Sequence, residues 1–379
     1  MNEKLVARMQ SPGPKKILAL DGGGIRGMMT VEVLAEIEGL LRKKLGRGPD
    51  FVLADHFDFV AGTSTGAIIA ACISLGMKVS EIRDFYISSG KEMFDKAFLL
   101  KRFRYKYEDE KLAGKMQEVF GKDMTLGSDK LKTVLMMVMR NASTDSPWPI
   151  SNNPFAKYNR PERRMDPHFD CNLDIPLWQL VRASTAAPVY FPPEVVTVGK
   201  HEFVFVDGGI TTYNNPAFQA FLMATVEPYT MNWPVGEDKM LVVSIGTGTS
   251  PQANADLSPN EMNLLYNAGS IPSALMYAAL NEQDTLCRVF GKCLGGDELD
   301  REVGDLIGAK GPVGPNKLFT YVRYNAELTE KGLLALGLPD IKPEVVQMLD
   351  SVAHVAELQR VGQAVAKQKV NADHFAAFV

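Results

Sequence analysis

Short apolar runs bounded by glycine or polar residues alternate, along the first part of the chain, with stretches in which apolar side chains recur every three or four positions. The first run, Ile17-Leu18-Ala19-Leu20, follows Lys15-Lys16 and stops at a glycine cluster, which predicts a buried strand. Val31, Leu34, Ile37, Leu41 and Leu45 then trace one face of a helix that Gly46, Gly48 and Pro49 end. A second copy follows. Phe57 to Ala61 predicts a strand, Gly62 to Gly66 a sharp turn, and Ala67 to Leu75 an apolar helix of small residues. Two such units in succession imply an α/β protein with a mainly parallel sheet and helices packed over it. Lys132 to Met139, Phe203 to Val206 and Met240 to Ile245 read as three further strands.

The pattern is looser elsewhere. Residues 1–14 are polar with two prolines and read as a flexible lead-in. Pro147, Pro149, Pro154, Pro161 and Pro167 punctuate Ser143 to Asp170, which predicts irregular structure over one face of the sheet. Beyond Gly246 long helical patterns dominate, at Ile271 to Phe290 and Ile341 to Lys369, with one strand-like segment at Leu318 to Tyr324. The expected organisation is a lead-in over 1–14, an α/β domain over 15–220, and a region over 221–379. That last region would supply a sheet-completing strand at 240–245 and a helical cap or regulatory portion.

Composition narrows the class without choosing a function. Of the 379 residues 46% are apolar and 23% charged, ordinary globular values that argue against disorder or a disulfide scaffold. Forty-one Lys plus Arg against 45 Asp plus Glu leave a net charge of −4, so a DNA or RNA backbone is not the expected partner. Cys72, Cys171, Cys287 and Cys293 are scattered, which suits reduced thiols better than a secreted framework or a zinc site, and no metal is expected. The N-terminus has no apolar export segment, and no run of about 18 apolar residues occurs. A cytoplasmic protein is expected, one that would meet a membrane only from outside it.

Three motifs carry chemistry. Gly62-Thr63-Ser64-Thr65-Gly66 is a G-x-S-x-G between a predicted strand and a predicted helix, the setting of a nucleophile elbow. Asp21-Gly22-Gly23-Gly24-Ile25-Arg26-Gly27 follows the first strand and opens the first helix, so its amides could hold an anion at a helix start. Gly22, Gly24 and Gly27 satisfy G-x-G-x-x-G, but Asp21 would sit against a pyrophosphate and no Walker Lys-Ser/Thr follows. An oxyanion hole fits both loops at once, with Arg26 adding charge nearby or pairing with Asp21 or another carboxylate. Asp207-Gly208-Gly209 closes the fourth strand, where α/β proteins assemble sites. None of His56, His168, His201, His354 and His374 follows a strand end closely, so Asp207 becomes the candidate base for Ser64. Two alternatives stay open: a Ser-His-Asp esterase using His354 or His374, and a nucleotide-binding protein without catalysis that uses the glycine loop.

DGGGIRG at 21–27, GTSTG at 62–66 and DGG at 207–209, in that order, resemble the patatin-like phospholipases over roughly Lys15 to Ala220. The resemblance implies a three-layer α/β fold and a serine lipid acyl hydrolase with a Ser-Asp dyad, needing no metal or other cofactor. Ser64 would be the nucleophile and Asp207 the base. Gly62, Thr63, Thr65 and Gly66 would form the elbow, and Gly208 and Gly209 the base motif. The amides of Gly22, Gly23 and Gly24, with Arg26 and Gly27, would make the oxyanion hole. The family often has Asp-Gly-Ala where this chain has Asp207-Gly208-Gly209. Length and the extension beyond 220 also resemble bacterial patatin-like effectors of anti-phage (CBASS) defence, which implies a cyclic dinucleotide activator. Phe94, Phe98, Phe103, Tyr105 and Tyr107 interleave with Lys96, Lys101, Arg102, Arg104 and Lys106. That mix suits contact with membrane phospholipid at the inner face of the membrane, although an ordinary helix and loop or single-stranded nucleic acid would use it too.

Overall fold

The structure is a computed structural model that describes residues 2–94, 106–160, 162, 171–188, 191–250 and 264–379. Its strands are β1 Lys15–Leu20, β2 Phe59–Thr63, β3 Val134–Asn141, β4 Ser146–Ser151, β5 Glu194–Val198, β6 His201–Asp207, β7 Met240–Ile245, β8 Lys292–Gly295 and β9 Thr320–Tyr324. They form one sheet in the order β5-β6-β3-β2-β1-β7-β9-β8, with β4 paired to β3 as well. From β3 to β8 along that order the neighbours run parallel, and β4, β5 and β6 join antiparallel. The helices are α1 Glu3–Gln10, α2 Gly27–Lys44, α3 Thr65–Ser74, α4 Val79–Phe94, α5 Lys106–Phe120 and α6 Leu177–Ser184. They continue with α7 Ala217–Thr225, α8 Leu264–Phe290, α9 Glu330–Ala335, α10 Pro343–Gln347 and α11 Val355–Lys369.

Alternation along each strand makes the three layers. Leu18, Leu20, Val60, Leu135, Met137, Val243 and Ile245 face a core shared with α2 to α6 and α9 to α11. Their neighbours Ile17, Ala19, Phe59, Ala61, Val134, Met136 and Val242 face the opposite core, with α1, α7 and α8. Both faces are covered, so the central strands read as unbroken apolar runs instead of alternating ones.

Four segments depart from the sequence reading. Residues 3–10, expected as flexible, form α1, because Leu5 and Met9 one helical turn apart bury in the second core and the Asn2 side chain caps the first turn. Arg8 fixes the helix to Asp58 and to the Ala54 carbonyl, and the Trp233 indole donates to the Met9 carbonyl. Within the proline-rich tract, β4 pairs with β3 despite Pro147 and Pro149. Those prolines sit at alternate positions, so both lack their N–H on the same side of the strand. The pattern expected to give one helix over 341–369 breaks after Gln347, where Met348 is extended with ψ 140. Finally, the region beyond 220, expected to add one sheet-completing strand and a helical cap, adds β7 beside β1 in the middle of the sheet and then β9 and β8, while α11 packs on α2 where Gly362 meets the Met29 backbone.

Candidate active site

β2 ends at Thr63 and α3 begins at Thr65, so Ser64 is the whole turn between them. Its φ of 53 with ψ of −123 is a conformation a serine adopts only when its surroundings force it, at a cost of about 1–3 kcal/mol. The two glycines of the motif are where the crowding falls. A Cβ on Gly62 would lie 2.1 Å from the Gly66 carbonyl oxygen, and one on Gly66 would lie 2.2 Å from that of Leu20. Hydrogen bonds fix the elbow from three sides. The Ser64 amide donates to Ser184 Oγ at 3.0 Å, and Ser184 Oγ donates to the Val138 carbonyl at 2.6 Å. Thr63 Oγ1 donates to the Tyr213 carbonyl at 2.7 Å, and the Thr65 hydroxyl is hydrogen bonded to that of Tyr86.

Sheet register brings Asp207 to the serine. On β3, Val138 pairs with Thr63 of β2 and the next residue, Met139, pairs with Asp207 of β6. β4 occupies the other edge of β3 across both positions, so β2 and β6 share one edge and meet end to end. Asp207 Oδ2 accepts a hydrogen bond from Ser64 Oγ at 2.6 Å, and Oδ1 accepts from the Gly209 amide at 2.6 Å. Burial pushes the Asp207 carboxyl up to about 6, against the pull of the Ser64 and Gly209 hydrogen bonds. At neutral pH the group is therefore largely an anion and a much better base than an exposed aspartate.

The glycine loop follows β1 and runs through the turn Gly24–Arg26 into α2. Most of its amides are already engaged. Gly22 donates to the Asn214 carbonyl at 3.1 Å, Ile25 to that of Leu349 at 3.0 Å and Arg26 to that of Gly23 at 3.2 Å. The Gly27 amide serves the carbonyls of Gly24 and Ile25. Among the described residues only the Gly23 and Gly24 amides of the loop lack an acceptor, so the expected contributions from the Gly22 and Gly27 amides are corrected. Gly24 has φ +59, and a Cβ there would lie 2.3 Å from the Leu349 oxygen.

Arg26 does not pair with Asp21. Its Nη1 donates to the Gln347 carbonyl at 3.1 Å while its Nε is buried without an acceptor, and burial lowers its pKa to about 10. Asp21 is held instead by Arg323 of β9, through two hydrogen bonds of 2.9 and 2.6 Å, and Arg323 also donates to Ser244 Oγ of β7. Burial pushes the Asp21 carboxyl up, and the two-pronged guanidinium opposes it. Thr247 Oγ1 donates to the Gly22 carbonyl at 2.7 Å. The site thus gathers at the C-terminal ends of β1, β2, β7 and β9, the edge where open α/β sheets place ligands.

No histidine among the described residues bonds to Ser64 or Asp207. His201 opens β6 at the end away from Asp207, His354 bonds Glu357 at 3.1 Å, and His374 Nδ1 bonds the Tyr324 hydroxyl at 2.8 Å. His56 is buried, its Nε2 without a partner and its pKa lowered by desolvation to about 3. His168 lies outside the described residues. So does 95–105, most of the basic aromatic stretch, while Phe94 at its start is buried and stacks on Tyr86. The four cysteines are buried, and Cys171 Sγ donates to the Asn159 carbonyl at 3.2 Å. Among the described residues no helix is long and apolar enough to cross a membrane. Ser184, Asn214, Thr247 and Arg323 went unread in the sequence, since each reaches the site only through tertiary contact.

A family model described as patatin-like phospholipase matches residues 18–221. Patatin-T5 of Solanum tuberosum is 27% identical over 320 residues, covering 75% of this chain and 78% of that protein. Patatin-17 of Solanum cardiophyllum is 28% identical over 262 residues, covering 65% and 63%. Patatin-01 of Solanum tuberosum is 29% identical over 253 residues, covering 62% and 61%, so the chain spans under two thirds of the length of these last two. The crystal structure of VipD from Legionella pneumophila aligns with 92% of this chain and 67% of that one at 14% identity, with a TM-score of 0.38, a likeness too loose to bear on the fold.

Proposed function

The chain belongs to the patatin-like phospholipase family, and we propose that it hydrolyses fatty-acyl esters of membrane glycerophospholipids through a Ser64-Asp207 dyad and an acyl-enzyme. Asp207 Oδ2 takes the proton from Ser64 Oγ as that oxygen attacks the ester carbonyl. The Gly23 and Gly24 amides donate to the oxygen on which negative charge develops. The protonated Asp207 then gives its proton to the departing lysolipid alkoxide. In the second half water attacks the acyl-serine, Asp207 takes its proton, and Ser64 leaves with a proton returned from the acid. No metal takes part in this scheme.

The observation that carries the reading is the 2.6 Å hydrogen bond between a serine in a forced backbone conformation and a buried aspartate with a raised pKa. Perturbed acid groups on a strained nucleophile mark reactive sites. A fluorophosphonate probe tests it: Ser64 should be the labelled residue, and Ser64→Ala and Asp207→Ala should each abolish phospholipid turnover while the fold persists. Turnover that survives both changes would sink the dyad. The finer expectations have tests of their own. Replacing Lys101, Arg102, Arg104 and Lys106 with Gln should weaken binding to anionic vesicles, and unchanged binding would put membrane contact elsewhere. Activation by a cyclic dinucleotide, which would fit an anti-phage effector, predicts higher turnover in its presence, and equal turnover removes that idea.

A further inference from the structure

We infer that Asn214 is a further catalytic residue, its side-chain amide donating to the oxyanion formed when Ser64 attacks; this rests on the acyl-hydrolase reading above. The Asn214 backbone is tied to the glycine loop, because its carbonyl accepts the Gly22 amide at 3.1 Å. Its side chain is tied to the nucleophile. Asn214 Oδ1 and Ser64 Cβ lie 2.3 and 3.1 Å from the point where a Cβ on Gly22 would sit, so carboxamide and serine are neighbours across that glycine. Oδ1 also lies 3.2 Å from the corresponding point on Gly209, whose amide binds the Asp207 carboxylate.

The carboxamide is unsatisfied although Asn214 is only 4% exposed. Oδ1 is sealed from solvent with no donor, and Nδ2 has no acceptor among the described residues yet is not sealed. Burying an amide unpaired is costly, an arrangement that folding alone does not favour. A donor kept free on a carboxamide that neighbours Ser64 becomes useful when charge appears on a substrate there, and a preorganised side-chain amide of this kind is worth about 10²- to 10³-fold in kcat. Gly23 and Gly24 supply the backbone donors of the same hole. Asn214 adds a donor from the β6 side, next to the base.

The full chain, its Asn214→Ala and Asn214→Asp variants, and Ser64→Ala as the inactive reference test this. Readouts are kcat and KM on a short-chain phospholipid, inhibition by a lipid trifluoromethyl ketone that forms a tetrahedral adduct on serine, and binding of the uncleavable ether analogue. Asn214→Ala should lower kcat by about 10²- to 10³-fold with KM little changed. Ketone affinity should fall by a similar factor and ether affinity should hold. Asn214→Asp keeps the shape and loses the N–H, and it should be no more active than Asn214→Ala. Wild-type kcat in Asn214→Ala, or equal loss of ketone and ether binding, would overturn the role. Wild-type chain that resists the fluorophosphonate probe, or activity equal in Ser64→Ala, would instead bring down the hydrolase reading, and the Asn214 role with it.

Discussion

Asp207→Asn should trade activity for stability, and by a pH-dependent amount. In the folded chain burial lifts the Asp207 carboxyl from 3.8 to about 6. The folded state therefore holds that proton more tightly than the unfolded chain does. Stability from this group is fully present below about pH 4 and is lost as pH rises through 6. A shift of roughly two units corresponds to about 3 kcal/mol at pH 8, the cost of burying the charge that the proposed dyad uses. Asparagine carries no charge, keeps an oxygen for the Gly209 amide, and removes that cost. Thermal melts of wild type and Asp207→Asn should nearly coincide at pH 4 and separate by several degrees in favour of the variant at pH 8. Wild-type kcat/KM should fall tenfold per pH unit below about 6, since roughly one carboxyl in ten is ionised at pH 5. A stabilisation equal at both pH values, or an acid limb centred near 4, would refute the claim that desolvation sets this base.

Other changes follow from the same packing. Arg323→Leu leaves Asp21 buried without its partner and should cost about 3–5 kcal/mol in a denaturant titration, part of which Asp21→Asn in the same chain should restore. Gly66→Ala drives a Cβ into the Leu20 carbonyl and should sharply reduce the yield of folded protein, whereas Gly39→Ala on α2, with open space around it, should be neutral or stabilising by up to about 1 kcal/mol. Leu5→Ala should destabilise by about 2–5 kcal/mol if α1 is part of the core, and an unchanged denaturation midpoint would return residues 3–10 to a flexible lead-in.

What the sequence disclosed depended on how local the cause was. Central strands were legible because cover on both faces leaves an apolar run that few other elements produce: Met240–Ile245 is bounded as read, and β2 and β3 are displaced toward their C-terminal ends. Ser64 and Asp207 stood out because a tight turn and a strand end impose glycines nearby. Edge strands were harder. β4 carries two prolines, and β5 alternates exposed and buried side chains over only Glu194–Val198. Partner choice was hardest of all. Arg26, close to Asp21 in sequence, could pair with it or with another carboxylate, but Arg323 takes the carboxylate from 302 residues away. Asn214 is likewise close to Asp207 in sequence, yet its place beside Ser64 depends on Gly22 of another loop. Neither partnership has a local spacing that could announce it.

The dyad's geometry belongs to the sheet more than to any loop. β2 arrives parallel to β3 and stops at Thr63 because Ser64 turns the chain with φ 53. β6 arrives antiparallel along the same edge, and just past Asp207 a Cβ on Gly208 would lie 2.2 Å from the Val138 carbonyl oxygen. Two strand ends thus face each other across a single step of β3, from Val138 to Met139, a rise of about 3.3 Å. Slipping β6 by one residue would turn Asp207 to the opposite face of the sheet and leave Ser64 without its carboxylate partner. Such a base needs no mobile loop to bring it in, and it stays dry, with Ser64 and Asp207 both buried. On the proposed mechanism substrate approaches from the C-terminal ends of the parallel strands, where the glycine loop that follows β1, with its free Gly23 and Gly24 amides, and the Asn214 carboxamide meet Ser64 across Gly22.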